Sequence, residues 1–487
     1  MEYNSETEHI LLLPLMAHGH FRPSLQLALH LSTKTPFTIT ILTTPLNTHF
    51  FHKQLPCPTT IRVAELPFNS TDHGLPPLVE NTSQVPLHLA TSFLHATTSL
   101  EPHFRNFITN NFNPNHPPIC IIFDFFFGWA NRVANSIGST GISFSAAGAY
   151  GTAAYLSVWN DLPHRNFSDD EEFSLPGFPE NHRYSRSHIH RFMRFADGFD
   201  DGSRFFQPQI RLSLESSGWL CNSSEEIEHL GFDILRNYVK LPVWGIGPLI
   251  DSPLNNGDNE CVIQWFSSQK RDSVLYISFG SQNTISPKQM MELAMGLEES
   301  SKPFLWVIRP PFGFDINREF KPEWLPEKLE ERMKEKKQGI VVHKWGPQLE
   351  ILNHESTGGF LSHCGWNSLL ESLREGVPIL GWPLAAEQAY NMKMMEEEMG
   401  VGVELARGLE GEVSKEKVRK MVGMILEREE GSRGWEMKKK AVEMGKKMKE
   451  SIRDETEYKG SSVLAMEDFV KVIVSAKTNK DKGNWLN

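Results

Sequence analysis

The chain reads as two successive sets of short apolar runs separated by helix-length segments. In the first half the runs are HILLLPL (9–15), FTITILT (37–43), TIRVAELP (60–67), ICIIFD (119–124), GISFSA (141–146) and GWLCNS (218–223). In the second half they are VLYISFG (274–280), FLWVIR (304–309), GIVVHKW (339–345), GGFLSH (358–363) and PILGWP (378–383). These runs are nearly continuous in Val, Ile, Leu and Phe, the pattern of strands buried on both faces of a parallel sheet. Strands alternating with helical segments mark α/β units, so two doubly wound lobes are predicted. Between the sets, IGPLIDSPLNNGDNE (246–260) is rich in Gly, Pro, Asn and Asp, a linker composition that places a boundary near residue 250. The stretch Glu410–Glu457, dense in Lys and Glu, predicts exposed helices, and the terminal KTNKDKGNWLN is expected to fray.

Charge and leader signals narrow the partners. A net charge of −11 disfavours nucleic acid, which needs a basic surface, but leaves room for a phosphate-bearing small ligand at a local site. MEYNSETEHILLLPLMAHGH has no basic n-region, and its apolar run Ile10–Met16 is too short for a signal sequence or a membrane span. A cytoplasmic protein with no integral membrane segment is expected. The Asn-x-Ser/Thr sites at Asn69 and Asn81 are then inert. Cys57, Cys120, Cys221, Cys261 and Cys364 are dispersed with no C-x-x-C pair, which favours reduced thiols over disulfides or zinc.

Open α/β sheets bind ligands outside the carboxyl ends of their strands. That singles out the turns MAHGHFRP, FDFFFGW and SHCGWNS. In the last, a helix starting near Asn367 would present unpartnered N–H groups and its positive dipole end, an anion site. Gly365 permits close approach, and His363, Asn367 and Ser368 are candidate donors. Ser368-x-x-Glu371 equally fits a capping box serving only the helix. The pattern leaves both readings open.

The surrounding WGPQLEILNHESTGGFLSHCGWNSLLESLREGVPILGWPLAAEQ, Trp345 to Gln388, closely resembles the sugar-donor box of the plant family 1 UDP-dependent glycosyltransferases of GT-B fold. MAHGHFRPSLQLALHL, ISFGS and FLWVIR extend the resemblance along the chain. It implies two Rossmann-like domains facing a central cleft, residues 1–250 for the acceptor and 251–455 for the UDP-sugar. It also implies a helix in 456–487 that packs back on the first domain. By the same resemblance Trp345 stacks on uracil beside Gln348, and Glu371 accepts the ribose hydroxyls. Ser281, His363, Asn367 and Ser368 contact the diphosphate, and Trp366, Glu387 and Gln388 face the sugar. A flat indole suits a flat base, and a carboxylate suits two hydroxyl donors. Gln388 leans toward UDP-glucose as co-substrate. Glu387 stands where aspartate is commoner. No D-x-D pair is present, and no metal cofactor is expected.

Transfer to an alcohol needs a base, and a neutral histidine serves near pH 7. In the family this turn reads mostly Q-G-H, which makes His20 the base and leaves His18 in place of glutamine, where it is expected to face solvent. Asp124 matches the aspartate that orients the base. Without the resemblance, His20 reads as a loop histidine and Asp124 as a strand-end aspartate serving a helix N-terminus.

The implied activity is inverting transfer of glucose from UDP-glucose to a hydroxyl of a small lipophilic plant metabolite, a phenolic, flavonoid or terpenoid. The Phe-rich stretches 123–129, 191–200 and 204–209 suit such acceptors, although many of the rings serve as plain core. The alternatives are transfer to an aromatic carbon and a non-catalytic sugar-nucleotide binder. A dinucleotide oxidoreductase lacks support, because GIGPLI (245–250) has no third glycine. The basic HRYSRSHIHRFMR (182–194) is expected to be solvated surface. A monomer with only these small-molecule partners is expected.

Overall fold

Strands buried at every position need partners on both sides and helices on both faces, and the apolar runs meet that demand. The structure, a computed structural model, describes residues 7–56, 59–168, 171–250, 260–316, 318–343 and 345–481. In the first half these are β1 (His9–Leu13), β2 (Thr38–Thr43), β3 (Ile61–Glu65), β4 (Cys120–Asp124) and β5 (Thr140–Ser145). The chain continues through β6 (Phe173–Ser174), β7 (Arg183–Tyr184), β8 (Trp219–Cys221) and β9 (Val243–Gly245). The second half holds β10 (Val274–Ser278), β11 (Phe304–Ile308), β12 (Gly339–His343), β13 (Thr357–Ser362), β14 (Ile379–Gly381) and β15 (Gly402–Glu404).

Two parallel sheets result, ordered β3-β2-β1-β4-β5-β8-β9 and β12-β11-β10-β13-β14-β15, with β6 and β7 as a separate antiparallel pair. Every residue of β1, β4, β5, β10 and β13 is buried. In each sheet the strand order reverses at the first strand, β1 or β10. The crevices at those switch points are where such sheets bind ligands. They are flanked by the turns carrying His18–His20, Gly280–Ser281 and His363–Gly365. The fold class is the doubly wound α/β architecture that the apolar runs predict.

Four segments differ from expectation. β9 and β15, of three residues each, and β6 and β7, of two, lie outside the predicted runs. The helices Lys415–Ile425 and Arg433–Ser451 are not simply exposed: they bury Val418, Val422 and Ile425, and Met437, Ala441 and Met448. The expected fraying is overturned over 477–481, where the helix Ser461–Asp481 continues; the rest of that tail lies outside the described residues, as do 251–259 of the linker stretch. This last helix is anchored on the first half. Met466, Phe469 and Ile473 are buried in that core, Trp244 Nε1 donates to Asp468 at 2.8 Å, and Lys477 pairs with Glu8.

The fourth correction concerns 182–194. His182, Tyr184, Ile189 and Met193 are buried, and the segment bridges the two halves. Arg194 lies 3.4 Å from Glu410, Arg407 donates to Ser187 Oγ at 2.7 Å, and Lys393 sits 5.5 Å from the Tyr184 ring centre. Basic side chains here meet acidic partners from far along the chain, which sequence proximity cannot reveal.

Among the described residues, Cys120, Cys221 and Cys364 are free and buried, and no helix is long and apolar enough to cross a membrane.

Candidate active site

The His20 turn is more ordered than a loop. The helix His18–Lys34 begins immediately after Ala17, and the His20 and Phe21 amides both donate to the Ala17 carbonyl at 2.9 Å. Phe21, wholly buried, anchors this first turn. His20 Nδ1 lies 2.5 Å from Asp124 Oδ2, and the other carboxylate oxygen accepts the Phe126 amide at 3.1 Å. Asp124 therefore meets both readings of it, capping the turn after β4 and holding the imidazole. A carboxylate only accepts, so neutral His20 keeps its proton on Nδ1 and leaves Nε2 as the basic nitrogen. Burial lowers the His20 pKa, but the charge and hydrogen bond of Asp124, with the Glu387 charge, outweigh it and the net shift is upward.

His18 departs from expectation. It lines the cleft half-buried, edge-on to Phe21 with ring centres 6.1 Å apart and 5.7 Å from Phe50. Burial and the Arg22 charge lower its pKa, so it stays neutral at pH 7.

Across the cleft, the helix Trp366–Arg374 starts from Gly365 with no side-chain cap. Ser368 lies inside the helix, not at its cap, so the Ser368–Glu371 capping box does not form. Glu371 instead accepts Gln348 Nε2 at 2.7 Å; the same nitrogen lies 3.1 Å from Ser368 Oγ, and Tyr276 OH donates to Gln348 Oε1 at 3.2 Å. A helix N-terminus left without a side-chain cap and facing a cavity is suited to an anion.

His363, buried at the end of β13, is wedged between two glycines. A Cβ on Gly280, whose φ is +76°, would lie 2.7 Å from the imidazole, and one on Gly365 would lie 2.5 Å from Nε2. Burial pushes the His363 pKa down to about 4, so it is neutral at pH 7 with a single N–H to donate. Cys364 and Ala386 carry φ of +65° and +49°, strained values for residues other than glycine, and both lie beside the cleft. Gly280→Ala is expected to displace His363 from its slot, a shift readable in the NMR signals of its imidazole.

The remaining residues surround the same space. Trp345, 54% exposed, stands at the rim, with Ser281 beyond β10. Glu387 accepts Asn391 Nδ2 at 3.2 Å, and burial raises its pKa. Gln388 Oε1 accepts the Leu384 and Ala385 amides at 2.9 and 2.8 Å, so its NH2 group is what remains to offer a ligand. Trp366 also lines the cavity, although it is only 3% exposed, and its Nε1 donates to the Asn222 carbonyl at 2.7 Å. Asn367 Nδ2 donates to the Gly19 carbonyl at 2.8 Å, tying the helix end to the His20 turn.

One cavity of about 500 Å³ collects these groups from both halves, within the range of small-molecule clefts. Asp124 stands behind it, through His20. The aromatic wall is Phe125, Phe126 and Tyr155. The sequence reading missed Arg309, which also lines the cavity. Its signal was a cation at the carboxyl end of β11, next to a switch point. Among the described residues, no group of three His, Cys, Asp or Glu side chains is placed to hold a metal.

Two doubly wound sheets sharing a cleft, with an imidazole–carboxylate pair on one side and a bare helix end on the other, define a GT-B sugar-nucleotide transferase. Comparison with known proteins agrees. The family profile described as UDP-glucoronosyl and UDP-glucosyl transferase matches residues 252–430. UDP-glycosyltransferase 92A1 of Arabidopsis thaliana is 40% identical over 95% of this chain and 96% of its own length. Crocetin glucosyltransferase 3 of Crocus sativus is 44% identical over 87% of this chain and 92% of its own. The crystal structure of Glycyrrhiza uralensis UGT73P12, complexed with glycyrrhetinic acid 3-O-monoglucuronide, superposes with a TM-score of 0.81 at 25% identity, covering 98% of both chains. The chain belongs to the plant family 1 UDP-glycosyltransferases and is a hexosyltransferase.

Proposed function

We propose that the protein transfers glucose from UDP-glucose, with inversion, to a hydroxyl of a small lipophilic acceptor. The observation that carries this reading is that the His20–Asp124 pair and the N-terminus of the 366–374 helix serve one cavity. The acceptor oxygen attacks the anomeric carbon, and its proton passes to His20 Nε2. The bond from that carbon to the β-phosphate oxygen breaks, and its electron pair leaves on UDP. The charge that develops on UDP falls at the helix end, near His363 and Ser368. Trp345 stacks on uracil, Gln348 lies beside it, and Glu371 receives the ribose hydroxyls. Ser281 and Asn367 complete the diphosphate contacts, with Trp366, Glu387 and Gln388 around the sugar.

Glucose is supported by Gln388 and by the relative named for glucosyl transfer to crocetin. A lipophilic acceptor is supported by the aromatic wall and by the ligand of the Glycyrrhiza structure. An acceptor screen with UDP-glucose, reading product mass, linkage and anomeric configuration, tests the reading; an α-linked product would refute single displacement.

The pH profile follows from the base. His20 acts when neutral, so kcat/KM falls as pH drops through its pKa. That pKa is raised, so the acid limb is expected above 6.5. Asp124→Asn removes the charge that raises it and leaves the burial that lowers it. The acid limb should then move to lower pH, and the plateau rate should fall. A limb that stays put would dissociate Asp124 from the base.

A further inference from the structure

Asn222 is wholly buried and does not line the cavity, yet its polar groups bind three separate segments. Its Oδ1 accepts the Leu249 amide at 2.7 Å, and its Nδ2 donates to the Ala146 carbonyl at 3.2 Å. The same Nδ2 reaches Asn367 Oδ1 at a longer 3.4 Å, while its backbone carbonyl accepts the Trp366 indole at 2.7 Å. Asn367 continues the chain of contacts to the Gly19 carbonyl, one residue before His20. The packing leaves no slack: a Cβ on Gly247 would lie 2.7 Å from Asn222 Oδ1 and 2.5 Å from its carbonyl carbon. Burying an amide is costly unless both of its ends are paired, and here both are.

We propose that Asn222 is a positioning residue for glycosyl transfer. It fixes the N-terminus of the 366–374 helix against the end of β5 and the segment leaving β9. Through Asn367 it holds the His20 turn at a constant distance from that helix end. The proposal rests on the transferase reading above, in which leaving group and base occupy those two places. An ångström of error between them is enough to cost about 100-fold in rate.

Asn222→Asp keeps the size and the acceptor for Leu249 while removing the amide donor. Asn222→Ser shortens the side chain without adding a charge. Both are made in the full-length protein and assayed with UDP-glucose and an acceptor that the native chain uses. The expected result is a kcat lowered about 10–100-fold in both. UDP affinity by calorimetry should change less than about threefold. The acid limb of kcat/KM should move down, because a loosened His20 turn weakens the Asp124 contact. A kcat near native in either variant would overturn the proposal. So would kcat and UDP affinity falling together in step with the melting temperature, or failure of both variants to fold, since each makes Asn222 a stability element only. A native chain that transfers glucose to no acceptor would instead sink the transferase reading itself.

Discussion

Replacing His20 with alanine is expected to lower kcat for glucosyl transfer about 10²–10⁴-fold, the usual worth of general-base help. UDP affinity should stay near native, because His20 belongs to the first half and the groups assigned to UDP belong to the second. The reason lies in the arrangement around the imidazole. Asp124 is fully buried, holds Nδ1 at 2.5 Å and is fixed by the Phe126 amide, so one tautomer is favoured and Nε2 is basic. Single-turnover rates with UDP-glucose, alongside calorimetric UDP binding, separate the two effects. Full activity in the variant would remove His20 from the mechanism. Loss of UDP binding in proportion to rate would make it a structural residue.

The second large effect is expected at Glu371. Its carboxylate is buried and takes the Gln348 amide at 2.7 Å, an arrangement that presents a fixed acceptor beneath the Trp345 rim. A hydrogen bond to a charged group contributes about 1.5–3 kcal/mol, so Glu371→Ala should weaken UDP binding about 10–100-fold. Gln348 would lose its partner as well and add to that loss. UMP and UDP should be affected alike, because both carry the ribose, whereas inorganic pyrophosphate should not. Unchanged UDP affinity would leave Glu371 as a residue that merely orients Gln348.

The fold was legible because burial on both faces writes itself into continuous runs such as ICIIFD and VLYIS, which need no partner information to be read. β9, VWG, escaped because it runs directly into a linker composition. The local half of the site was legible only as places: the ends of β1, β4 and β13 pointed to His20, Asp124 and His363, and the roles expected of them came from the family resemblance. What a turn pattern cannot carry is the bond from Asn367 to Gly19, which spans 348 positions, or that from Trp366 to Asn222, which spans 144. Asn367 and Trp366 matched donor contacts on pattern, and in the folded chain they also join the two halves. The capping-box reading of Ser368 and Glu371 failed for a related reason. The helix starts three residues before the position that box required, with Gly365 rather than Ser368 as N-cap, and tertiary packing hands Glu371 to Gln348. The basic run 182–194 reads as solvated until Glu410 is brought beside it.

A crystal structure with UDP and an acceptor bound tests the central claim most directly. The expected result is a diphosphate at the N-terminus of the 366–374 helix, within hydrogen-bonding reach of Ser368 and His363. The acceptor hydroxyl should lie against His20 Nε2. A diphosphate bound elsewhere, or an acceptor whose hydroxyl points away from His20, would contradict it.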